Sequence, residues 1–121
     1  MNLRYLYTQT HEYMTVGGRF SQIGISNYAQ KELGDIVFVN LPTAGQTITK
    51  GEPFCEIESV KAVATVNAPC NGIIKKVNLM LDEKPELLNE DPKKNWIVEI
   101  EITGEYSDLM SEEKYLKYIG K

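Results

Sequence analysis

A chain of 121 residues is the length of one compact domain, 1–121, and 42% hydrophobic with 25% charged residues describes a folded globular protein, not a disordered or fibrous one. The net charge of -4 resides in the C-terminal third, where residues 82–121 carry 11 acidic and 6 basic side chains. A chain without a basic footprint to neutralise phosphates is expected to bind neither nucleic acid nor an anionic membrane surface.

No apolar run approaches the roughly 20 residues that span a bilayer, and the opening Met1-Asn2-Leu3-Arg4-Tyr5 lacks the layout of a secretory signal. Two cysteines, Cys55 and Cys70, and no glycosylation sequon fit a reducing compartment. One histidine and no CxxC pair do not make a zinc site. Neither a GxGxxG nor a GxxxxGK[ST] string occurs.

In chain order, Tyr13–Val16 and Arg19–Ile25 flank Gly17-Gly18, which suits the positive φ angles of a two-residue hairpin turn. Ser26 can cap a short helix over 27–33, with Gly34 as a left-handed exit. Asp35–Asn40 is β-branched and aromatic and stops at Pro42. Short β-rich segments then alternate with Gly, Pro and Asn: Gln46–Thr49, Pro53–Ser59, Val63–Asn67 and Ile73–Asn78. That spacing is the signal of an all-β sandwich or barrel.

Pro85–Leu88 can form one helical turn, and Trp96–Ile102 alternates apolar with acidic residues, a strand with one wet face. After Gly104 the chain is predicted to turn helical. Ser111 is its cap, Glu112 and Glu113 lie in the first turn, and Tyr115, Leu116 and Ile119 form a stripe packed on the core.

The segment Phe54–Val66 is the informative one, because two strand-like runs meet at Val60-Lys61. Tight hairpins favour Asn, Asp or Gly at their centre, and a β-branched valine beside a lysine is poor chemistry for such a turn. A lysine at this position is either an ordinary solvated side chain or one held out for use. Leu41-Pro42-Thr43-Ala44-Gly45 before Lys61 and Ala68-Pro69-Cys70-Asn71-Gly72 after it share a Pro-to-Gly turn spacing, a hint of two related halves.

Glu58-Ser59-Val60-Lys61-Ala62 resembles the lipoyl-attachment motif of swinging-arm carriers, and its context resembles the H proteins of the glycine cleavage system. His11-Glu12, Gly24-Ile25-Ser26, Tyr28-Ala29-Gln30, Leu33–Val39 with Leu41-Pro42, Ala68-Pro69 with Gly72, Val77-Asn78, Pro85–Asn89, Asp91-Pro92 and Trp96 all fall in family order. The resemblance implies a mainly β barrel-sandwich hybrid of the lipoyl and biotinyl type. A short helix near 27–33 and a C-terminal helix complete it.

It further implies lipoic acid in amide linkage to Lys61, with Glu58, Ser59, Val60 and Ala62 as the attachment motif and Glu58 a recognition element for the attaching enzyme. Glu56 reads as a solvated strand charge. The arm is expected to shuttle an aminomethyl group from a pyridoxal-phosphate glycine decarboxylase to a tetrahydrofolate-dependent aminomethyltransferase, and to be reoxidised by dihydrolipoamide dehydrogenase. A lipoate ligase or a lipoyl or octanoyl transferase would load it.

The loaded arm is expected to fold back near Thr10, His11 and Glu12, with Glu12 accepting from its amine. Tyr13 stands where tryptophan is usual, and Thr65 where an aspartate is common. The missing carboxylate keeps a second reading open, a lipoyl relay that donates lipoate or octanoate to 2-oxoacid dehydrogenase complexes. A biotin carrier would want methionines in place of Val60 and Ala62. A plain β-domain binding module would never be modified at Lys61, and no nucleophile–base pair supports an enzyme. The expected molecule is a non-catalytic monomer of the bacterial cytoplasm, or of the mitochondrial matrix if the chain is a processed eukaryotic one. Cys55 and Cys70 read as small buried hydrophobes.

Overall fold

The computed structural model describes residues 3–120, which are mainly β. The strands described lie in two antiparallel sheets. The larger runs β10 (Met110–Ser111), β1 (Arg4–Tyr7), β2 (Glu12–Val16), β3 (Ser21–Ile25), β9 (Val98–Ile102), β8 (Gly72–Val77), β5 (Thr47–Ile48). The smaller is β4 (Ile36–Asn40), β6 (Pro53–Ser59), β7 (Val63–Asn67). Helices α1 (Asn27–Leu33), α2 (Met80–Glu83), α3 (Leu87–Glu90) and α4 (Glu112–Tyr118) are all short, and no helix among the described residues is long and apolar enough to cross a membrane.

Alternation places the core. Cys55, Ile57 and Ser59 of β6 point inward, while Glu56 and Glu58 between them face out. Ile57 joins Met14, Ile23, Ile74 and Ile100 of the larger sheet and Leu81 and Leu88 of α2 and α3 in one fully buried cluster. Each such side chain contributes about 1.5–3 kcal/mol through burial. The two segments with matching Pro-to-Gly spacing lead into strands that lie side by side. β5 pairs with β8 through Thr47↔Ile73 and Ile48↔Gly72, and Gly45 N–H donates to Ile74 O at 2.7 Å.

Several expectations are corrected. The hairpin of β2 and β3, which follows that of β1 and β2, turns over Gly17–Phe20, four residues and not two, because the strand resumes only at Ser21. There Thr15 Oγ1 accepts from Gln22 N–H at 2.9 Å. The stretch after Gly104 remains irregular to Leu109 and then forms β10, whose Ser111 side chain accepts from Lys114 N–H as the expected cap of α4. Leu116 is exposed rather than packed; Tyr115 is buried with Tyr7 and Tyr13 in a cluster apart from the main core. Strands β1 and β10 and helix α2 had no sequence signal strong enough to mark them. β1 and β10 hold four and two residues, and they pair with each other across the length of the chain, Leu6↔Ser111 and Tyr7↔Met110.

Candidate functional site

Lys61 lies on the turn joining β6 to β7. Ser59 and Ala62 close that turn from both ends: Ser59 N–H donates to Ala62 O at 2.8 Å, and Ser59 Oγ accepts from Ala62 N–H at 3.1 Å. Val60 N–H is taken by Asp35 O of the neighbouring strand's entry at 2.9 Å. Neither Val60 nor Lys61 has a positive φ. The hairpin is therefore closed by an unprimed turn, which a valine can occupy, and the buried Ser59 hydroxyl takes the Ala62 N–H at its end. Lys61 is exposed and makes no ion pair or hydrogen bond among the described residues.

Its alkyl chain lies across Gly34, the exit residue of α1, at φ 76 and ψ -153, a region open essentially to glycine alone. Asn89 of α3 fixes this exit. Its Nδ2 donates to Gly34 O at 2.8 Å and to Gln30 Oε1 at 3.0 Å, and its Oδ1 accepts from Ile36 N–H at 2.9 Å.

A cleft of about 300 Å³ opens along β7, the edge of the smaller sheet. Thr10, His11, Glu12 and Thr65 line it together, so the structure joins the four residues expected to receive the arm. Lys61 is not part of the lining. It precedes Thr65 by four positions, of which only the last two steps run along β7. Ile25, Ala29, Leu33, Ile57 and Val66 make the apolar wall.

Glu12 is 1% exposed, yet its carboxylate is well supplied. Thr8 Oγ1 and Thr10 Oγ1 each donate to Oε1 at 2.6 Å, and Asn67 N–H, at the end of β7, donates to Oε2 at 3.1 Å. A carboxylate offers about four acceptor positions, so one remains for a further donor. His11 has φ 76, and its Nδ1 lies 2.8 Å from the Tyr115 hydroxyl. Burial draws the imidazole below its ordinary value, against the opposing pull of Glu12 and Glu32.

Glu32 was not singled out in the sequence. It is an exposed carboxylate on α1 that lines the same cleft and has no ion pair or hydrogen bond among the described residues. Only a helical register placing it beside Ala29 and Tyr28 could have found it. The lining thus includes a carboxylate on α1 where β7 has Thr65.

Glu58 stands between Phe38 of β4 and Val63 of β7 in one cross-strand row, and Glu56 between Asn40 and Thr65 in the next. Val37, Phe38, Val60 and Val63 are all exposed, an apolar surround for Glu58 and Lys61 that alternation alone does not announce. Cys55 and Cys70 are free and buried, and burial pushes their thiols up to about 12 and about 11.

The profile of the family described as Glycine cleavage H-protein matches residues 5–121. The glycine cleavage system H protein of Thermotoga maritima is 45% identical over 118 residues, 95% of each chain. A probable glycine cleavage system H protein of Thermococcus kodakarensis is 47% identical over 117 residues, 93% of this chain and 87% of its own. The crystal structure of a glycine cleavage system H protein from Mycobacterium marinum matches with a TM-score of 0.91 and 30% identity, covering 100% of both chains. An exposed lysine on a clamped hairpin, a cleft beside it and this agreement over nearly the full length lead to one conclusion: the chain belongs to the glycine cleavage H-protein family.

Proposed function

We propose that Lys61 carries lipoate in amide linkage, and that the chain acts as one non-catalytic carrier domain, a cytoplasmic monomer, in glycine cleavage. The observation that supports this most is the free Lys61 amine, held at a closed turn and within reach of a cleft with an apolar wall and a carboxylate end. Those residues fit the group. The methylenes of an acylated lysine match the wall formed by Leu33, Ile57 and Val66, and an amine at the arm's far end meets Glu12, Thr10, Thr65 and Glu32.

When bound, lipoate supplies a dithiolane that carries a one-carbon amine unit and electrons between enzymes. The chain's own residues do the rest. Ser59 presents the lysine, Glu58 and the apolar residues beside it offer a face to the attaching enzyme, and Glu12 and Glu32 offer carboxylates to an amine in the cleft. Glycine decarboxylase, aminomethyltransferase and dihydrolipoamide dehydrogenase are the successive partners, and a lipoate ligase or a lipoyl or octanoyl transferase loads Lys61. Tethering raises the effective concentration of the reactive end at each.

Glycine-dependent loading tests this reading against the relay. Lipoylated protein mixed with glycine and a pyridoxal-phosphate glycine decarboxylase should gain the mass of an aminomethyl group. Lipoylated protein that gains none, while it donates lipoate to a 2-oxoacid dehydrogenase domain, would favour the relay instead.

A further inference from the structure

Tyr115 lies in the C-terminal helix and does not line the cleft, yet its hydroxyl is tied to both segments that build it. On one side it lies 2.8 Å from His11 Nδ1 and on the other 2.7 Å from Ser26 Oγ. The same Ser26 Oγ caps α1 by accepting from Ala29 N–H at 3.1 Å. One hydroxyl thus joins the loop carrying His11 and Glu12 to the first turn of the helix carrying Tyr28, Ala29 and Glu32.

His11 needs such a tie. It is the one non-glycine residue with positive φ among the described residues, a conformation that persists only when its surroundings enforce it. Ser26 N–H holds its carbonyl at 2.9 Å, and Tyr115 holds its ring. The packing of α4 is accounted for separately. The Tyr115 ring stacks on Tyr7 with centroids 4.3 Å apart and planes 7° from parallel, and this contact does not use the hydroxyl.

We infer that the Tyr115 hydroxyl is a positioning group for the arm cleft: it fixes the Thr8–Glu12 loop and so keeps the Glu12 carboxylate against the end of β7. As a statement about the arm, this rests on the function proposed above. The chain of donors closes in either direction with a neutral imidazole. Tyr115 donates to Ser26 and accepts from His11 N–H, or it donates to His11 and accepts from the Ser26 hydroxyl. Without the hydroxyl, His11 keeps its ring contact with Tyr28, centroids 4.8 Å apart, but loses the ring's hydrogen bond, and the loop can swing Glu12 away from Asn67 N–H.

The test uses Tyr115→Phe, which keeps the ring stack and removes the hydroxyl, beside Tyr115→Ala, which removes both. Amide hydrogen exchange is measured in the unlipoylated full chain at Asn67, whose N–H is held by Glu12, and at Ile74 and Ile100 in the core. Expected is an exchange rate at Asn67 raised about fivefold in Tyr115→Phe, the ratio of one lost hydrogen bond, with Ile74 and Ile100 unchanged. After lipoylation and loading, the same variant should lose its aminomethyl group faster while Lys61 is acylated at the parent rate. Parent-like exchange at Asn67 in Tyr115→Phe, or an increase in Tyr115→Ala alone, would reduce the residue to packing and overturn the inference. A parent chain that gains no lipoyl mass would remove the proposed function and leave the exchange result standing for the loop alone.

Discussion

The Lys61 side chain lies over Gly34, where a Cβ would sit 3.4 Å from Lys61 Cε, an ordinary van der Waals contact. What requires glycine at the end of α1 is therefore the φ 76, ψ -153 exit and not the lysine's alkyl chain. Gly34→Ala should destabilise the fold by about 1–3 kcal/mol, since that backbone region is essentially closed to a residue with a Cβ. A lower denaturant midpoint, with slower acylation of Lys61, is the expected result. An unchanged midpoint would mean the exit relaxes at no cost.

Ser59→Ala removes the side chain that closes the hairpin at Ala62. The loss should be about 1 kcal/mol of stability, the net worth of one such hydrogen bond. The larger effect should fall on the KM of lipoate attachment, because the lysine no longer stands in one place. Steady-state acylation of both proteins by a lipoate ligase measures it, and equal KM values would show that the attaching enzyme shapes the turn itself.

Much of this was legible in the chain and some was not. Ser26 and Ser111 mark their helices because a capping hydroxyl acts within three residues, and Glu56, Ile57 and Glu58 declare inward and outward faces through a period of two. Lys61 stood out through the turn chemistry it violates. The reason that turn is tolerable lay elsewhere, in the Ser59 clamp and in Asp35 O, the latter 25 residues away in sequence. The hydrogen bonds of Asn89 to Gly34 and Ile36, and of Tyr115 to His11 and Ser26, were silent for the same reason: each reaches a segment distant in sequence, and no local pattern records such a contact.

Glu12 should serve the arm after attachment and not during it. Glu12→Ala leaves the Thr8 and Thr10 hydroxyls and the Asn67 N–H without their acceptor, a cost of about 1–3 kcal/mol. It should speed loss of ammonia or formaldehyde from the loaded carrier with acylation of Lys61 unchanged. Glu32→Gln, at an exposed and unpaired carboxylate, should change stability by less than about 0.5 kcal/mol and still speed the loss. Equal loss rates in Glu32→Gln and parent would leave Glu12 as the one carboxylate that holds the amine.

Burial raises Cys55 to about 12 and Cys70 to about 11 from the ordinary 9.0, with Lys50 pulling Cys70 back slightly. Because the folded state keeps its protons longer, this stabilisation is present in full below pH 9.0 and is lost as pH rises through about 11 to about 12. Native protein at neutral pH should resist iodoacetamide at both cysteines, and unfolded protein should be alkylated at both. Rapid native labelling would show one of these cysteines to be open.

Intact mass measured after incubation with lipoate, ATP and a lipoate ligase, for the parent beside Lys61→Arg, tests the central claim most directly. The account predicts one lipoyl increment on the parent and none on the variant. An unchanged parent mass, in a reaction that modifies a control carrier, would contradict it.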